Sequence, residues 1–309
     1  MTMGHEQGAR GTDQEPDLSE GELVCLNCET RLYGDWCHAC GQKRIEDDQR
    51  RLRWLVGQFV GKITSLDGKL PRSLLALVFR PGKLDTAWLR GQRASWISPI
   101  SLFLVINLLY FLAPPITDFH LPLVDQLEMP IYSGWANERI EARFPEFSDW
   151  AASAGTVELS EEFRTFEKAF NRRSEELSKT LLILHVPLMA VVLMLLYRRR
   201  RIFLVDHFVI ALHYWTFLLT AAAVMPRIAT SVPTMLHSIG WGGTPLAGEA
   251  IWKFATLAWV IGYLVVALRR AYDQGWWRSL AKAIPAFGAC IVAHFLYRAA
   301  LFAITLWVI

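Results

Sequence analysis

The stretch VCLNCETRLYGDWCHACG (residues 24–41) sets the organisation of the chain. It holds four of the five cysteines in the spacing C-x2-C-x8-C-x2-C, as Cys25, Cys28, Cys37 and Cys40. Two residues between cysteines let one tight turn present both sulfurs to a single ion, and two such turns complete the tetrahedral thiolate shell that Zn²⁺ prefers. We expect Gly34 and Gly41 to serve as turn residues. Because no ligand position stays open, the spacing predicts a structural zinc ribbon, with two disulfide bonds as the alternative.

The rest of the chain has the composition of a membrane protein. Of its 309 residues, 53% are hydrophobic and 13 are tryptophan, which is more apolar than an ordinary soluble protein of this size. Residues 1–23 carry almost no apolar side chains and predict a disordered tail without a signal peptide.

Five apolar runs follow, at 97–113, 180–197, 202–225, 250–268 and 283–307. Each has roughly the 17 to 25 residues that a helix needs to cross the hydrocarbon core. Tryptophan and tyrosine lie near the ends of the runs, as they do at membrane interfaces. The runs predict an all-α membrane protein, with a bundle of about five transmembrane helices (residues 97–309) behind a small N-terminal ribbon (residues 24–42).

The distribution of charge predicts the orientation. Residues 41–97 hold 12 basic and 5 acidic side chains, whereas the connection 114–179 holds 7 basic and 13 acidic ones. The connections at 198–201 and 269–282 are basic again, so basic and non-basic connections alternate as the positive-inside rule requires. We therefore expect a multi-pass protein with a cytoplasmic N-terminus and an extracytoplasmic C-terminus. Thiolates persist in the reducing cytosol, which favours zinc over disulfide bonds.

Residues 43–96 are rich in arginine and lysine and predict two amphipathic helices. The second is expected at 71–79, before the turn Arg80-Pro81-Gly82. The first has its apolar residues at helical spacing: Leu52, Leu55, Phe59 and Ile63. Basic helices beside a span usually lie in the membrane interface among anionic lipid headgroups, and we expect that placement here. Packing of the same helices on the ends of the spans is the alternative, and the two are compatible.

The extracytoplasmic connection, 114–179, divides into two halves. The prolines Pro122, Pro130 and Pro145 predict an irregular first half. Ser160 is the expected N-cap of a helix in the second half, and Phe163, Phe166 and Phe170 repeat behind it at helical intervals. We expect this helix to continue into the second span as one rod from Ser160 to Tyr197, bent slightly at Pro187.

Several segments together resemble a known family. They are Cys-Gly-Gln at 40–42, DGKLPRSL at 67–74, FRPG at 79–82, LRGQRASWISPI at 89–100, DHFVIALH at 206–213 and RRAYDQGW at 269–276. Their combination and order resemble the bacterial membrane proteins grouped as domain-of-unknown-function 3667, over nearly the whole chain after the tail. The resemblance implies a multi-span protein of the bacterial inner membrane with a cytoplasmic ribbon. It implies no activity and transfers no catalytic residues.

The parts outside the spans carry no catalytic constellation. A phosphate-binding glycine loop, a Gly-x-Ser-x-Gly elbow and a His-Glu-x-x-His motif are all missing from the sequence. The basic helices lie beside a bilayer, so anionic headgroups are a nearer partner than nucleic acid. We therefore expect a docking or regulatory membrane component without catalytic activity, whose ribbon meets a cytosolic protein.

Polar residues inside the spans form a candidate intramembrane site. His185, His213 and His294 lie in three different spans, each at a depth of roughly 18–20 Å from the basic boundary. Asn107 is slightly shallower, and Asp206 and His207 lie near the cytoplasmic end. Ionisable groups in spans are costly and often functional, so the alternative function is a small-molecule or lipid transporter or membrane enzyme. Three histidines on one tier would suit a transition metal, haem or a proton relay, whereas separate hydrogen-bonded histidines are the competing interpretation.

Overall fold

The computed structural model describes residues 24–45, 68–112, 121–129, 132–153, 158–238 and 245–309. The predicted tail and the first basic helix, with Leu52, Leu55, Phe59 and Ile63, lie outside these residues. The described helices are α1 (Lys69–Phe79), α2 (Lys83–Leu89), α3 (Pro99–Leu112), α4 (Leu123–Leu127), α5 (Ser133–Glu141), α6 (Glu146–Ala152), α7 (Glu161–Leu181), α8 (His185–Leu196), α9 (Leu204–Ser238), α10 (Pro245–Ala271) and α11 (Trp276–Val308). The predicted all-α class is confirmed.

Within the described part of the chain, four helical runs are long and apolar enough to cross a membrane. They are Glu161–Leu196, Leu204–Met225, Trp252–Ala271 and Trp276–Val308. The first predicted span is the shorter apolar helix α3, which has 14 residues. Helix α9 packs against α3, α8 and α10, and α11 packs against α8 and α10. This arrangement agrees with the predicted bundle of about five spans.

The second span is a rod with one local irregularity. Helices α7 and α8 are joined by a 3-10 turn at Leu182–Leu184. Proline lacks an N–H and its ring crowds the carbonyl four residues earlier, here that of Ile183, so a tighter turn forms one turn ahead of Pro187. The predicted N-cap is present, because the Ser160 hydroxyl accepts a hydrogen bond from the N–H of Phe163 at 3.1 Å.

Helices α1 and α2 form a hairpin that packs on α10. Gly82, between them, has a φ of +76°, and a Cβ there would lie 2.9 Å from the Cβ of Arg270 and 3.0 Å from the Cα of Ala267. The Arg270 side chain donates to the carbonyl of Pro81 at 2.9 Å, and the Tyr263 hydroxyl donates to that of Leu77 at 2.8 Å. Four of the seven residues of α2 are buried. The structure therefore shows α2, a helix that the sequence did not predict, packed on the bundle.

The bundle has two distinct ends, which we call the ribbon end and the far end. The ribbon end brings together the α1–α2 turn, the arginine run at 198–201 and the connection after α10, where Arg200 donates to the carbonyl of Tyr272. At the far end, α4, α5 and α6 share a core with α7 and with Phe302 of α11. The sequence predicted an irregular segment in place of α4–α6. These short helices form because their apolar side chains, such as Ile140 and Phe147, are buried against the phenylalanine stripe of α7.

Candidate metal centre and the cavity beneath it

The two cysteine pairs form matching turns. The N–H of Cys25 donates to the carbonyl of Thr30 at 2.8 Å, and that of Cys37 donates to the carbonyl of Gln42 at 2.9 Å. The residue after each pair has a left-handed backbone, with φ of 61° at Glu29 and 70° at Gly41. Gly41 is therefore a turn residue, as expected. The equivalent position of the first turn is Glu29, and Gly34 is not among the described residues of positive φ.

The four cysteine sulfurs lie close enough to hold one metal ion. All four are free thiols, and their Sγ atoms lie within 4.8 Å of one another. The distance from Cys25 to Cys40 is 3.6 Å, and that from Cys28 to Cys37 is 3.5 Å. Four thiolates at about 2.3 Å from a tetrahedral Zn²⁺ would have sulfurs about 3.8 Å apart. The donor set and its spacing therefore fit such an ion.

One of these thiols is favoured in the charged form that metals bind. The sulfur of Cys28 lies 3.3 Å from the Thr30 hydroxyl. Hydrogen bonds from the side chain and backbone of Thr30 lower the pKa of Cys28 to about 6. A thiolate is therefore available at neutral pH before any metal arrives.

Gln42 fastens the ribbon to the membrane part of the chain. Its side-chain amide donates to the carbonyl of Gly91 at 2.8 Å, and its oxygen accepts from the N–H groups of Arg93 and Ala94, both at 3.0 Å. The first turn contributes as well, since a Cβ on Gly91 would lie 2.7 Å from Leu26. The amide of Gln42 is buried and uses both its oxygen and its nitrogen. The ribbon is thereby held on the connection between α2 and α3.

A cavity of about 400 Å³ lies between the ribbon and the bundle. Its walls include Trp36 and Lys43 of the ribbon, Trp88 and Arg93 from the α2–α3 region, and His213 of α9. The Arg93 guanidinium stacks over the Trp88 ring at 3.9 Å. The space therefore joins the metal centre to the interior of the bundle.

Behind the cavity, His213 is paired with a carboxylate that the sequence analysis did not single out. The imidazole Nδ1 donates to Oδ1 of Asp85 at 2.7 Å, and both side chains are 4% exposed. Asp85 was counted only as one of the acidic residues of a basic segment. A signal was available, because Asp85 lies between Leu84 and the Ala87–Trp88 pair in a short apolar helix.

The other two histidines are neighbours at a different place. The rings of His185 and His294 have centroids 5.8 Å apart. His185 donates from Nδ1 to the carbonyl of Leu182 at 2.9 Å, and Nε2 of His294 accepts from Arg298 at 2.9 Å. Within the described residues, the four cysteines are the one group of three or more potential ligands whose donor atoms converge. The three histidines therefore do not share one ion, because equal depth does not fix the face that each helix turns inward.

The remaining polar candidates have contacts of their own. The Asn107 amide donates to the carbonyl of Lys179 at 3.2 Å and joins α3 to α7. Nδ1 of His207 lies 2.6 Å from the Tyr272 hydroxyl at the ribbon end, and the Tyr272 ring stacks on Tyr197. Asp206 is half-buried in the first turn of α9. The contacts of Asn107 and His207 each join two separate segments of the bundle.

Comparison with known proteins gives one match. No curated protein and no solved structure matches the chain. The model of the family described as "Protein of unknown function (DUF3667)" matches residues 67–111. That segment contains the α1–α2 hairpin with its Gly82 turn, the connection that Gln42 holds, and α3 to within a residue of its end. This match is consistent with the family resemblance that the sequence motifs predicted.

Proposed function

We propose that this protein is a non-enzymatic component of a bacterial inner membrane, in which a Zn²⁺-loaded ribbon on the cytoplasmic side regulates the helix bundle. The observation that carries the proposal is the set of three hydrogen bonds between the Gln42 side chain and the α2–α3 connection, one donated and two accepted by Gln42. Gln42 follows Cys40, the last of the four cysteines, by two residues. A change in the conformation of this cysteine turn would therefore move Gln42 and alter its contact with the bundle.

The metal is the first part of the proposal to test. Purified full-length protein should contain one zinc per chain by elemental analysis, and the paired change Cys25→Ser with Cys37→Ser should lose it. Cys290→Ser is the matched control, because that buried thiol lies in α11, outside the ribbon, and should leave the zinc content unchanged. Equal metal content in the paired variant would refute the zinc site.

Coupling between ribbon and bundle is the second part. We expect chelation of zinc to increase amide hydrogen exchange at residues 91–98 and in α2, since the ribbon fold that presents Gln42 depends on the metal. Gln42→Ala should raise exchange in the same amides with zinc still bound. His38→Ala, on the exposed surface of the ribbon, should leave it unchanged. If these amides remain protected from exchange both after chelation and in Gln42→Ala, the regulatory role is refuted, whereas the zinc site is unaffected.

The ribbon also has an exposed face suited to a cytosolic protein partner. Tyr33 is 79% exposed and lies beside His38, with ring centroids 5.8 Å apart. Large exposed aromatic side chains are frequent anchors at protein interfaces. Tyr33→Ser should weaken binding of such a partner while zinc content stays at one per chain. A partner that binds the variant as tightly as the parent would exclude this face.

Transport or chemistry on a small molecule or lipid is the second candidate function. It is favoured by the buried Asp85–His213 pair behind the cavity, since ionisable groups at such depth are costly without a use. Asp85→Asn keeps the size of the side chain and removes its charge. A defect in growth, or in transport of the small molecule or lipid, in that variant at normal protein level would support this function over the regulatory one. Normal growth and normal transport would count against it.

A further inference from the structure

We propose that the cavity between the ribbon and the bundle binds a phosphate group, carried by an anionic lipid or free in solution. The lining that the structure describes contains three cationic side chains, those of Lys43, Lys69 and Arg93, and no carboxylate. Neither lysine makes an ion pair with another described residue. Among the described residues, the carboxylate of Asp85 accepts a hydrogen bond from His213, which lines the cavity. Ammonium groups at a membrane interface attract anions.

A buried donor supports this site independently of charge. Trp88 lines the cavity and is 7% exposed, yet its indole Nε1 has no hydrogen-bond partner among the described residues. An indole N–H can only donate, and a buried donor left without an acceptor costs about 1–3 kcal/mol. A phosphate oxygen is the type of acceptor that would satisfy it.

The remaining walls suit a ligand that is apolar beyond its phosphate. The lining also includes the apolar side chains of Trp36 in the ribbon and of Trp96, Ile97 and Pro99 where α3 begins. Tryptophan at a span end places its ring among lipid headgroups and acyl chains. The volume of about 400 Å³ lies within the range of small-molecule sites. A phospholipid headgroup and an inorganic phosphate ion are the two sources that this chemistry admits, and neither requires that the ribbon be regulatory.

The test uses the full chain with its zinc bound, in two arms. In the first, inorganic phosphate is titrated into detergent-purified protein, and the melting temperature is followed. In the second, native mass spectrometry counts the phosphatidylglycerol molecules retained from mixed micelles of phosphatidylglycerol and phosphatidylcholine. A response to phosphate identifies a free anion as ligand, and retention of phosphatidylglycerol without that response identifies a lipid. A protein that responds in neither arm overturns the proposal.

Two double variants distinguish binding of phosphate in this cavity from nonspecific attraction of an anion to a basic surface. Lys43→Gln with Lys69→Gln should weaken binding about 25-fold, at about fivefold for each lysine lost. Lys83→Gln with Arg90→Gln removes the same charge from exposed positions outside the lining and should change binding less than about twofold. Equal losses of binding in the two double variants would overturn the site.

Trp88→Phe retains an aromatic ring and should weaken binding about tenfold. If the double lysine variant loses its zinc or helix content, the Trp88→Phe variant becomes the deciding test. Unaltered binding in Trp88→Phe would then contradict the proposed site.

Discussion

The pair of Asp85 and His213 is a residue-scale interaction with consequences for stability. Both side chains are 4% exposed and lie 2.7 Å apart, so each depends on the other for its hydrogen bond. Asp85→Leu or His213→Leu should destabilise the protein by about 3–5 kcal/mol, because the remaining polar group stays buried without a partner. The double change should cost less than either single change. Unfolding of the four proteins in detergent measures this, and additive losses would contradict a direct pair.

Gly82 permits a second residue-scale prediction. Gly82→Ala adds a Cβ at a φ of +76° and 2.9 Å from the Cβ of Arg270. Left-handed backbone costs a non-glycine residue about 1–2 kcal/mol and overpacking about 1–3 kcal/mol, so a loss of about 2–5 kcal/mol is expected. Gly134→Ala is the control, because its Cβ would meet nothing within 4 Å on helix α5. A thermal midpoint of Gly82→Ala equal to that of Gly134→Ala would show that the hairpin does not pack closely on α10.

At the scale of an element, the first turn of α7 depends on Ser160. Its hydroxyl accepts from the N–H of Phe163 and donates to a Glu146 carboxylate oxygen at 2.7 Å, which connects α7 to α6. Ser160→Ala should cost about 1 kcal/mol, seen as about fivefold faster hydrogen exchange of the Phe163 amide. Thr165→Ala, exposed on the same helix, should leave that amide unchanged. Unaltered exchange in Ser160→Ala would mean that water replaces the cap without loss.

The same hydroxyl makes the far end sensitive to acid. Its hydrogen bond holds the pKa of Glu146 below the ordinary value of a glutamate. A carboxyl group with a lowered pKa stabilises the fold above its ordinary pKa, and this contribution is lost as the pH falls through the lowered value. The protection factors of the α7 amides, which correct for the intrinsic pH dependence of exchange, should therefore fall on acidification in the parent and fall less in Glu146→Gln. An identical pH profile in both proteins would exclude this linkage.

At the scale of the whole molecule, we expect the apolar helices to place the two ends of the bundle on opposite sides of a membrane. The positive-inside rule predicts that the ribbon end is cytoplasmic. Ser148 is exposed on α6 at the far end, and Arg278 is exposed at the start of α11. The variants Ser148→Cys and Arg278→Cys therefore place a thiol at each end of the bundle. A membrane-impermeant maleimide applied to intact spheroplasts should label the first and reach the second only after lysis. Labelling of Arg278→Cys in intact spheroplasts, with Ser148→Cys labelled only after lysis, would show that the orientation is opposite to the predicted one.

The sequence by itself determined the features that depend on local pattern. Cysteine spacing fixes which thiols can meet, because a two-residue gap allows only a tight turn, and the four sulfurs do lie within 4.8 Å. Apolar length fixes which helices can span a membrane, and the cap at Ser160 follows from one side chain and the next turn. These features need no knowledge of distant contacts.

Only the tertiary structure decided which faces meet. Histidine depth was readable from the chain, but helix rotation was not, so His213 meets Asp85 of α2, whereas His185 meets His294. The cavity arises from segments far apart in sequence, which Gln42 brings together across 49 residues to Gly91. Such contacts depend on side-chain packing and on the need to satisfy every buried polar group, and both are properties of the assembled fold.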